Sequence, residues 1–120
     1  MPKKRDGLTP RRMALECARA AHRTKADRIT VLNVSRVFPL ADYFVIVSCT
    51  SRIHAKSVAA EIENTLAARG ARPFGVEGLA EGGWILLDYA DVVVHIFLEE
   101  IRAYYDLEIL WGDARSIKWR

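Results

Sequence analysis

Residues 82–98 hold two short apolar runs separated by a polar junction, and this pattern constrains the fold more than any other stretch of the chain. β-Branched and aromatic residues on both sides of a short polar segment are typical of a β-hairpin. Asp88 and Asp91 flank the junction. We therefore predict two antiparallel strands joined by a two-residue turn at Tyr89 and Ala90, with Asp88 facing Asp91 across the hairpin.

Side chains alternate along a strand, so this hairpin has two faces that differ in chemistry. One face is wholly aliphatic and consists of Ile85, Leu87, Val92, Val94, Ile96 and Leu98. The other mixes aromatic, aliphatic and ionisable side chains and consists of Trp84, Leu86, Asp88, Asp91, Val93, His95 and Phe97. We predict that the first face packs in the core, and that the second is either thinly covered or a recognition surface.

The chain has 120 residues and 51% hydrophobic content, which is enough for one domain with its own core. No apolar run approaches the roughly 20 residues needed to cross a bilayer, and the N-terminus lacks the apolar segment of a signal peptide. The sequence therefore predicts a cytoplasmic protein without membrane contact. Cys17 and Cys49 fit neither a metal site nor a disulfide framework, and we predict no cofactor and no metal. Cys49 is expected in a loop, as a small inert side chain rather than a reactive thiol.

The net charge of +3 is unevenly distributed along the chain. Residues 1–12 hold five basic side chains against one acidic one, a balance of +4, and residues 13–120 hold thirteen against fourteen, a balance of −1. Residues 1–8 are predicted to form a basic, disordered tail. Such a tail attracts RNA or ribosomal surfaces without specificity, or is simply a frayed and soluble terminus.

Two longer helices are predicted in the first 70 residues. Thr9 can cap a helix that begins at Pro10, after which small apolar residues recur at helical spacing. Thr50 or Ser51 can cap a second helix, which stops at Gly70 because glycine suits the left-handed position after a helix.

The remaining pattern predicts strands around these helices. Residues 28–34 are β-branched and short, and residues 42–48 form a nearly continuous apolar strand of the kind buried in the middle of a sheet. Residues 72–76 contain Pro73 and are predicted to form a short edge strand. Residues 99–105 are predicted to be helical, with acidic residues in their first turn.

The last part of the chain is less regular. A short turn is predicted at 106–112, in which Leu107, Leu110 and Trp111 can pack back on the domain. Residues 115–120 have no clear pattern and are predicted to be a C-terminal tail.

Three runs are more distinctive than their secondary structure requires, and in this order and spacing they resemble the ribosomal silencing factor family, RsfS, also called the Iojap family. The runs are DYFVIVSCTS at 42–51, GWILLDYADVVVHIF at 83–97 and RAYYDLEILW at 102–111. The resemblance covers residues 9–114 as a single domain. Two positions depart from the family pattern: Ala90 stands where glycine is common, and Cys49 where glycine or alanine is expected.

The resemblance implies an α/β (α+β) domain of nucleotidyltransferase-like topology, with a mixed sheet of about five strands and helices packed on it. It implies a homodimer that binds the fourteenth protein of the large ribosomal subunit, blocks joining of the small subunit, and represses translation when nutrients are limiting. It implies a binding protein and no catalysis. The N-terminal helix and the region of Val37, Phe38 and Leu40 are candidate dimer surfaces.

The mixed face of the hairpin is the candidate partner surface, because large aromatic side chains anchor protein interfaces and acidic ones suit a basic ribosomal protein. The candidate residues are Trp84, Leu86, Asp88, Tyr89, Asp91, His95, Phe97, Arg102 and Tyr105. One alternative places Trp84 and Phe97 in the core under the N-terminal helix, with His95 as a structural histidine. A second alternative has Tyr105 and Leu107 close the bottom of the core, while Arg102 only pairs with Asp106.

Two other functions fit the sequence less well. A metal-dependent nucleotidyl transferase needs clustered carboxylates, whereas Asp88 and Asp91 flank a turn and have no third carboxylate beside them. A direct RNA-binding protein would use the basic tail and exposed aromatic side chains, but the domain lacks strands in which basic and aromatic residues interleave. Any RNA contact is therefore predicted to be secondary.

Overall fold

A mixed β-sheet organises the computed structural model, which describes residues 7–106, 109 and 111–120. Within these residues the sheet has six strands in the order β3-β4-β5-β2-β1-β6. The elements along the chain are α1 (Pro10–Arg23), β1 (Asp27–Asn33), β2 (Tyr43–Cys49), α2 (Arg52–Ala67), β3 (Gly75–Glu77), β4 (Trp84–Asp88), β5 (Val92–Leu98), α3 (Glu99–Tyr105) and β6 (Arg115–Ile117). The predicted α+β class is confirmed.

Strand β2 lies in the middle of the sheet, as its continuous apolar sequence predicts. It pairs with β5 in parallel and with β1 in antiparallel orientation. Every residue of β2 after Tyr43 is buried. Cys49 is the last residue of this strand and lies opposite Leu98, so the predicted loop position is wrong.

The ends of the two long helices follow their sequence signals. The Thr9 side chain accepts from the Arg12 amide at 3.2 Å, and the Ser51 side chain accepts from the His54 amide at 3.0 Å. Gly70 has a φ of 84° and follows α2. Its amide donates to Ala67 at 2.9 Å and the Ala71 amide donates to Leu66 at 2.9 Å, which closes the helix as a Schellman motif.

Helices α1 and α2 cover one face of the sheet, and the aliphatic face of the hairpin lies beneath them. Its residues Ile85, Leu87, Val92, Val94 and Ile96 share one core cluster with residues of both helices, such as Met13, Cys17, Ile62 and Leu66. The predicted core face is confirmed.

The predicted pairing register of the hairpin is wrong by two residues. Asp88 pairs with Val93 rather than with Asp91, and Trp84 pairs with Phe97. The turn lies at Ala90, which has a φ of 70°, and the Asp91 amide donates to the Tyr89 carbonyl at 2.9 Å as in a γ-turn.

The physical reason for this register is the Asp88 side chain, whose Oδ1 accepts from the Ala90 amide at 2.8 Å and so favours a turn one residue further along. Because the offset is even, every side chain stays on the face predicted for it.

The edges of the sheet are β3 and β6. Strand β3 is an edge strand as predicted, although it begins at Gly75, after Pro73. Strand β6 lies in the segment 115–120 predicted as a tail, and pairs antiparallel with β1 through Val31 and Ile117. The segment is too short for its sequence pattern to predict a strand. Its strand conformation is stabilised by pairing with β1 rather than by its own β-propensity.

Two of the predicted segments extend beyond the residues that the structure describes. Residues 1–6 of the predicted tail, and Leu107 and Leu110 of the predicted turn, lie outside the described residues. Leu8, the last residue of that tail, is buried. None of the described helices is both long and apolar enough to span a membrane.

Candidate docking surface

The second face of the sheet carries a core of aromatic side chains. Phe44 and Phe97 are buried there with smaller apolar residues, and partly buried residues pack over them from the segments around Phe38, Ile101 and Trp111. The Trp111 ring lies edge-on to Phe38 at 5.3 Å and to Phe44 at 5.8 Å. Loops and a two-turn helix therefore cover this face, where long helices cover the other.

Trp84 is at the border between this aromatic core and the surface. Its ring centroid lies 4.7 Å from that of Phe97 and 4.9 Å from that of Tyr105, and the side chain is half-buried. Its indole Nε1 donates to Nδ1 of His95 at 3.3 Å. These contacts hold one edge of a large aromatic side chain in a fixed, accessible position.

His95 is a buried partner of Trp84 and is only 5% exposed. Its ring packs edge-on against Phe44 at 4.8 Å. Burial lowers the pKa of His95 to about 4, so the ring is neutral near pH 7. Because Nδ1 accepts the indole proton, the ring proton lies on Nε2, an atom without a hydrogen-bond partner among the described residues.

The surface continues from Trp84 along the same face of β4 to the turn, and Tyr105 borders it at the Trp84 end. Leu86 and Asp88 are half-buried, Asp91 is exposed, and Tyr105 is 52% exposed. The Asp91 carbonyl accepts from the Asp42 and Tyr43 amides, which fixes the turn against the start of β2. We call this surface the docking face and define it as Trp84, Leu86, Asp88, Asp91 and Tyr105.

The other predicted site residues are buried. Phe97 is fully buried and supports Trp84 from beneath. It is therefore a core residue, as the alternative predicts, but on the face opposite α1 rather than under the N-terminal helix. Tyr89 is 1% exposed and belongs to the cluster beneath the helices, where burial raises the pKa of its hydroxyl. Neither side chain is accessible in this conformation, nor is His95.

Arg102 is also buried, with 2% of its surface exposed, and it ties α3 to the sheet. Its guanidinium donates to the Arg28 carbonyl at 2.6 Å, to the Ser48 hydroxyl at 2.9 Å and to the Thr30 hydroxyl at 3.2 Å. Arg28 has a φ of 48° and lies at an irregularity in the pairing of β1 with β2. Arg102 thus satisfies a carbonyl that this bulge turns away from the ladder. Spacing alone could not reveal that partner.

An acidic side chain balances the charge near Arg102. Glu99 forms an ion pair with Arg28. A hydrogen bond with Ser48, and then the contact with Arg28, lower the pKa of Glu99. These hydrogen bonds and the nearby carboxylate explain why the buried guanidinium of Arg102 is tolerated against the sheet.

The described residues contain no group of three or more histidine, cysteine or acidic side chains able to hold a metal ion. Asp88 caps its own turn. Cys49 is buried, and burial raises the pKa of its thiol to about 12, which favours the inert thiol.

The surfaces predicted for a dimer differ in accessibility. The apolar stripe of α1 is buried against the sheet, and Val37 and Phe38 pack against the aromatic core. Leu40 is 77% exposed.

Fold and site together define a small α+β domain with an aromatic surface bordered by acidic side chains, a composition suited to contact with another macromolecule. A family model described as "Ribosomal silencing factor during starvation" matches residues 8–120. The chain belongs to this family.

Similar proteins agree with that assignment. The chain is 38% identical over 97 residues to the ribosomal silencing factor RsfS of Bacillus subtilis, covering 81% of this chain and 82% of that protein. It is 36% identical over 94 residues to RsfS of Halalkalibacterium halodurans, covering 78% and 80%. A crystal structure of a Chromobacterium violaceum protein superposes with a TM-score of 0.84 at 31% identity, covering 87% of each chain.

Proposed function

We propose that this protein silences ribosomes by binding the large subunit through its fourteenth protein and blocking association with the small subunit, which represses translation under nutrient limitation. The site of action is then the cytoplasm, and the protein acts by occupancy rather than by catalysis. The half-exposed indole of Trp84, held by His95 and Phe97, is the observation that carries the proposal. A fixed aromatic anchor costs little entropy on binding, and such residues dominate interface energies.

The surroundings of Trp84 support a basic protein partner. Tyr105 adds a second aromatic side chain beside the indole, and Asp88 and Asp91 place two carboxylates at the turn end of the same hairpin. Acidic groups at the border of an interface mainly accelerate association and select partners of opposite charge. The buried residues Phe97, His95 and Arg102 are positioning residues in this proposal, whereas the docking face makes the contact.

Co-sedimentation with separated ribosomal subunits tests the proposal. We expect selective association with free large subunits, and a loss of about 2 kcal/mol of binding free energy, or about thirtyfold in affinity, in Trp84→Ala. Phe74→Ala is the matched control, because Phe74 is an exposed aromatic residue next to the edge strand β3 and outside the docking face. Equal loss in both variants, or binding to both subunits, contradicts the proposal.

We also propose that the free protein is a homodimer. Of the apolar residues predicted to form the dimer surface, Leu40 is the one that is strongly exposed, and we expect it to contact the second copy. Sedimentation velocity of the wild type and of Leu40→Asp tests it. We expect a concentration-dependent dimer that the substitution weakens, and a monomer at all concentrations contradicts the dimer.

A further inference from the structure

The sheet edge formed by β6 and the residues after it concentrates positive charge. Residues 115–120 contain Arg115, Lys118 and Arg120 and no acidic side chain. Ile117 points into the core, while all three basic residues are exposed. A single charge is enough to protect a sheet edge from pairing with another strand, so three of one sign call for a further explanation.

Helix α1 adds a further basic side chain, Arg19, beside the residues that follow β6. Arg19 donates from Nε to the Trp119 carbonyl at 3.3 Å, and the His22 ring lies 5.5 Å from the Trp119 ring. The Arg120 guanidinium lies over the Trp119 ring at 4.9 Å from its centroid. Trp119 is itself fixed, because its Nε1 donates to the Ile29 carbonyl at 3.2 Å.

Two adjoining clefts run along this edge and share Ile29, Trp119 and Arg120 in their walls. Asp27 is the carboxylate in these walls, and it stands beside Arg28, which pairs with Glu99. Lys118 and Arg120 also line these walls, so two cations stand against that one carboxylate and the side chains of the clefts carry a net positive charge. We call the basic edge the set of basic and aromatic side chains along β6 and the residues that follow it, with those of α1 that contact Trp119, namely Arg19, His22, Arg115, Lys118, Trp119 and Arg120. Arg115 is at the start of β6, in a separate cleft that also holds Asp113.

The basic edge lies at the opposite end of the strand order from the acidic side chains of the hairpin. Strands β3 and β4 are at one end of the sheet and β6 is at the other. Glu77 and Asp88 lie at the first end. The near-neutral balance of residues 13–120 thus hides a local excess of basic side chains at β6, away from these carboxylates.

We infer that the basic edge binds the phosphodiester backbone of RNA while the docking face contacts protein. Guanidinium and ammonium groups neutralise successive phosphates, and a partly exposed tryptophan beside arginine offers a surface on which an unpaired base can stack. The inference rests on the proposed function, because a ribosomal partner presents RNA next to protein. Lys118, Trp119 and Arg120 interleave basic and aromatic residues directly after strand β6.

Fluorescence anisotropy with a labelled single-stranded RNA of about twelve nucleotides tests the inference across a salt series. The full chain is compared with a triple variant, Arg115→Gln, Lys118→Gln and Arg120→Gln. The matched control removes the same charge from exposed positions elsewhere, with Arg52→Gln, Lys56→Gln and Arg72→Gln. We expect the edge variant to bind at least tenfold more weakly at low salt, and its log–log salt slope to be shallower by about two.

Three results would overturn the inference: no RNA binding by the wild type at about 50 mM salt, equal loss in both triple variants, or equally tight binding of polyglutamate, which would mark a surface for acidic proteins. Circular dichroism shows whether the edge variant folds. If it does not fold, the single change Lys118→Gln serves instead, with a slope shallower by about 0.7.

This experiment uses no ribosome, so it fails independently of the proposed function. Absence of RNA binding by the wild type, together with intact co-sedimentation, rejects only the basic edge. Intact RNA binding with no preference for large subunits rejects only the docking proposal.

Discussion

The two faces of the sheet bury apolar surface in different ways. Beneath α1 and α2 the core is mainly aliphatic, with Tyr89 as its buried aromatic residue, and small residues such as Ala14, Ala18 and Ala59 let the helices approach closely. On the other face, aromatic rings meet at steep angles under loops, and the buried set includes His95. The face beneath the helices therefore mainly stabilises the fold, whereas the other face also holds Trp84 in a fixed position at the surface.

Adjacent residues of β4 give the largest expected difference between the faces. Leu87 is fully buried beneath the helices, whereas Leu86 is half-buried on the docking face. We expect Leu87→Ala to lower the free energy of unfolding by about 3 kcal/mol and Leu86→Ala by about 1 kcal/mol, because only the first leaves a closed cavity. Urea denaturation of both variants measures this. Equal losses would show that the two faces contribute alike.

The opposite ranking is expected for binding. Leu86→Ala should weaken association with the large subunit, whereas Leu87→Ala should leave the affinity of the folded fraction unchanged. Co-sedimentation under conditions where both variants are folded separates the two effects.

Acid should destabilise the aromatic face through His95. Its pKa is lowered from 6.5 to about 4 in the folded protein, so the unfolded chain takes up the proton first. This contribution to stability is complete above pH 6.5 and is lost as the pH falls toward 4, at a cost of about 3 kcal/mol.

His95→Gln keeps an acceptor for the Trp84 indole and removes the titration. We expect the wild type to lose more stability than this variant between pH 7 and pH 4, as measured by thermal unfolding at each pH. Parallel pH profiles would show that His95 is accessible to protons in the folded state.

The turn that joins the two strands should give the smallest effect. Ala90 has a φ of 70°, a conformation that glycine adopts without strain. We expect Ala90→Gly to raise the free energy of unfolding by about 1 kcal/mol without changing affinity for the large subunit. Lys25→Gly is a comparable change after α1, where φ is 67°. A destabilised Ala90→Gly variant would show that the turn tolerates alanine without strain.

Much of the fold could be predicted because its signals are local. Thr9, Ser51 and Gly70 mark helix ends through the backbone groups they satisfy, and these positions are confirmed. Strand β6 could not be predicted in the same way, since its few residues become a strand only by pairing with β1, more than 80 residues earlier in the chain.

The sequence predicted on which face of the hairpin each candidate side chain lies, but not which of these side chains are exposed to solvent. Alternation placed Trp84, His95 and Phe97 together on one side of the hairpin, and the structure keeps them there. Tyr89 and Arg102 were assigned to the same surface, yet both are buried. Burial depends on which segments cover a residue, and those segments are distant in the chain.

The sequence by itself determined the two faces of the hairpin, the central strand and the helix ends, because side-chain alternation and capping act over a few residues. Only the tertiary structure decided which aromatic side chains remain accessible, which groups accept from the Arg102 guanidinium, and that basic residues of α1 and of the last part of the chain meet at one edge of the sheet. Those properties arise from contacts between distant segments, and strand order brings those segments together.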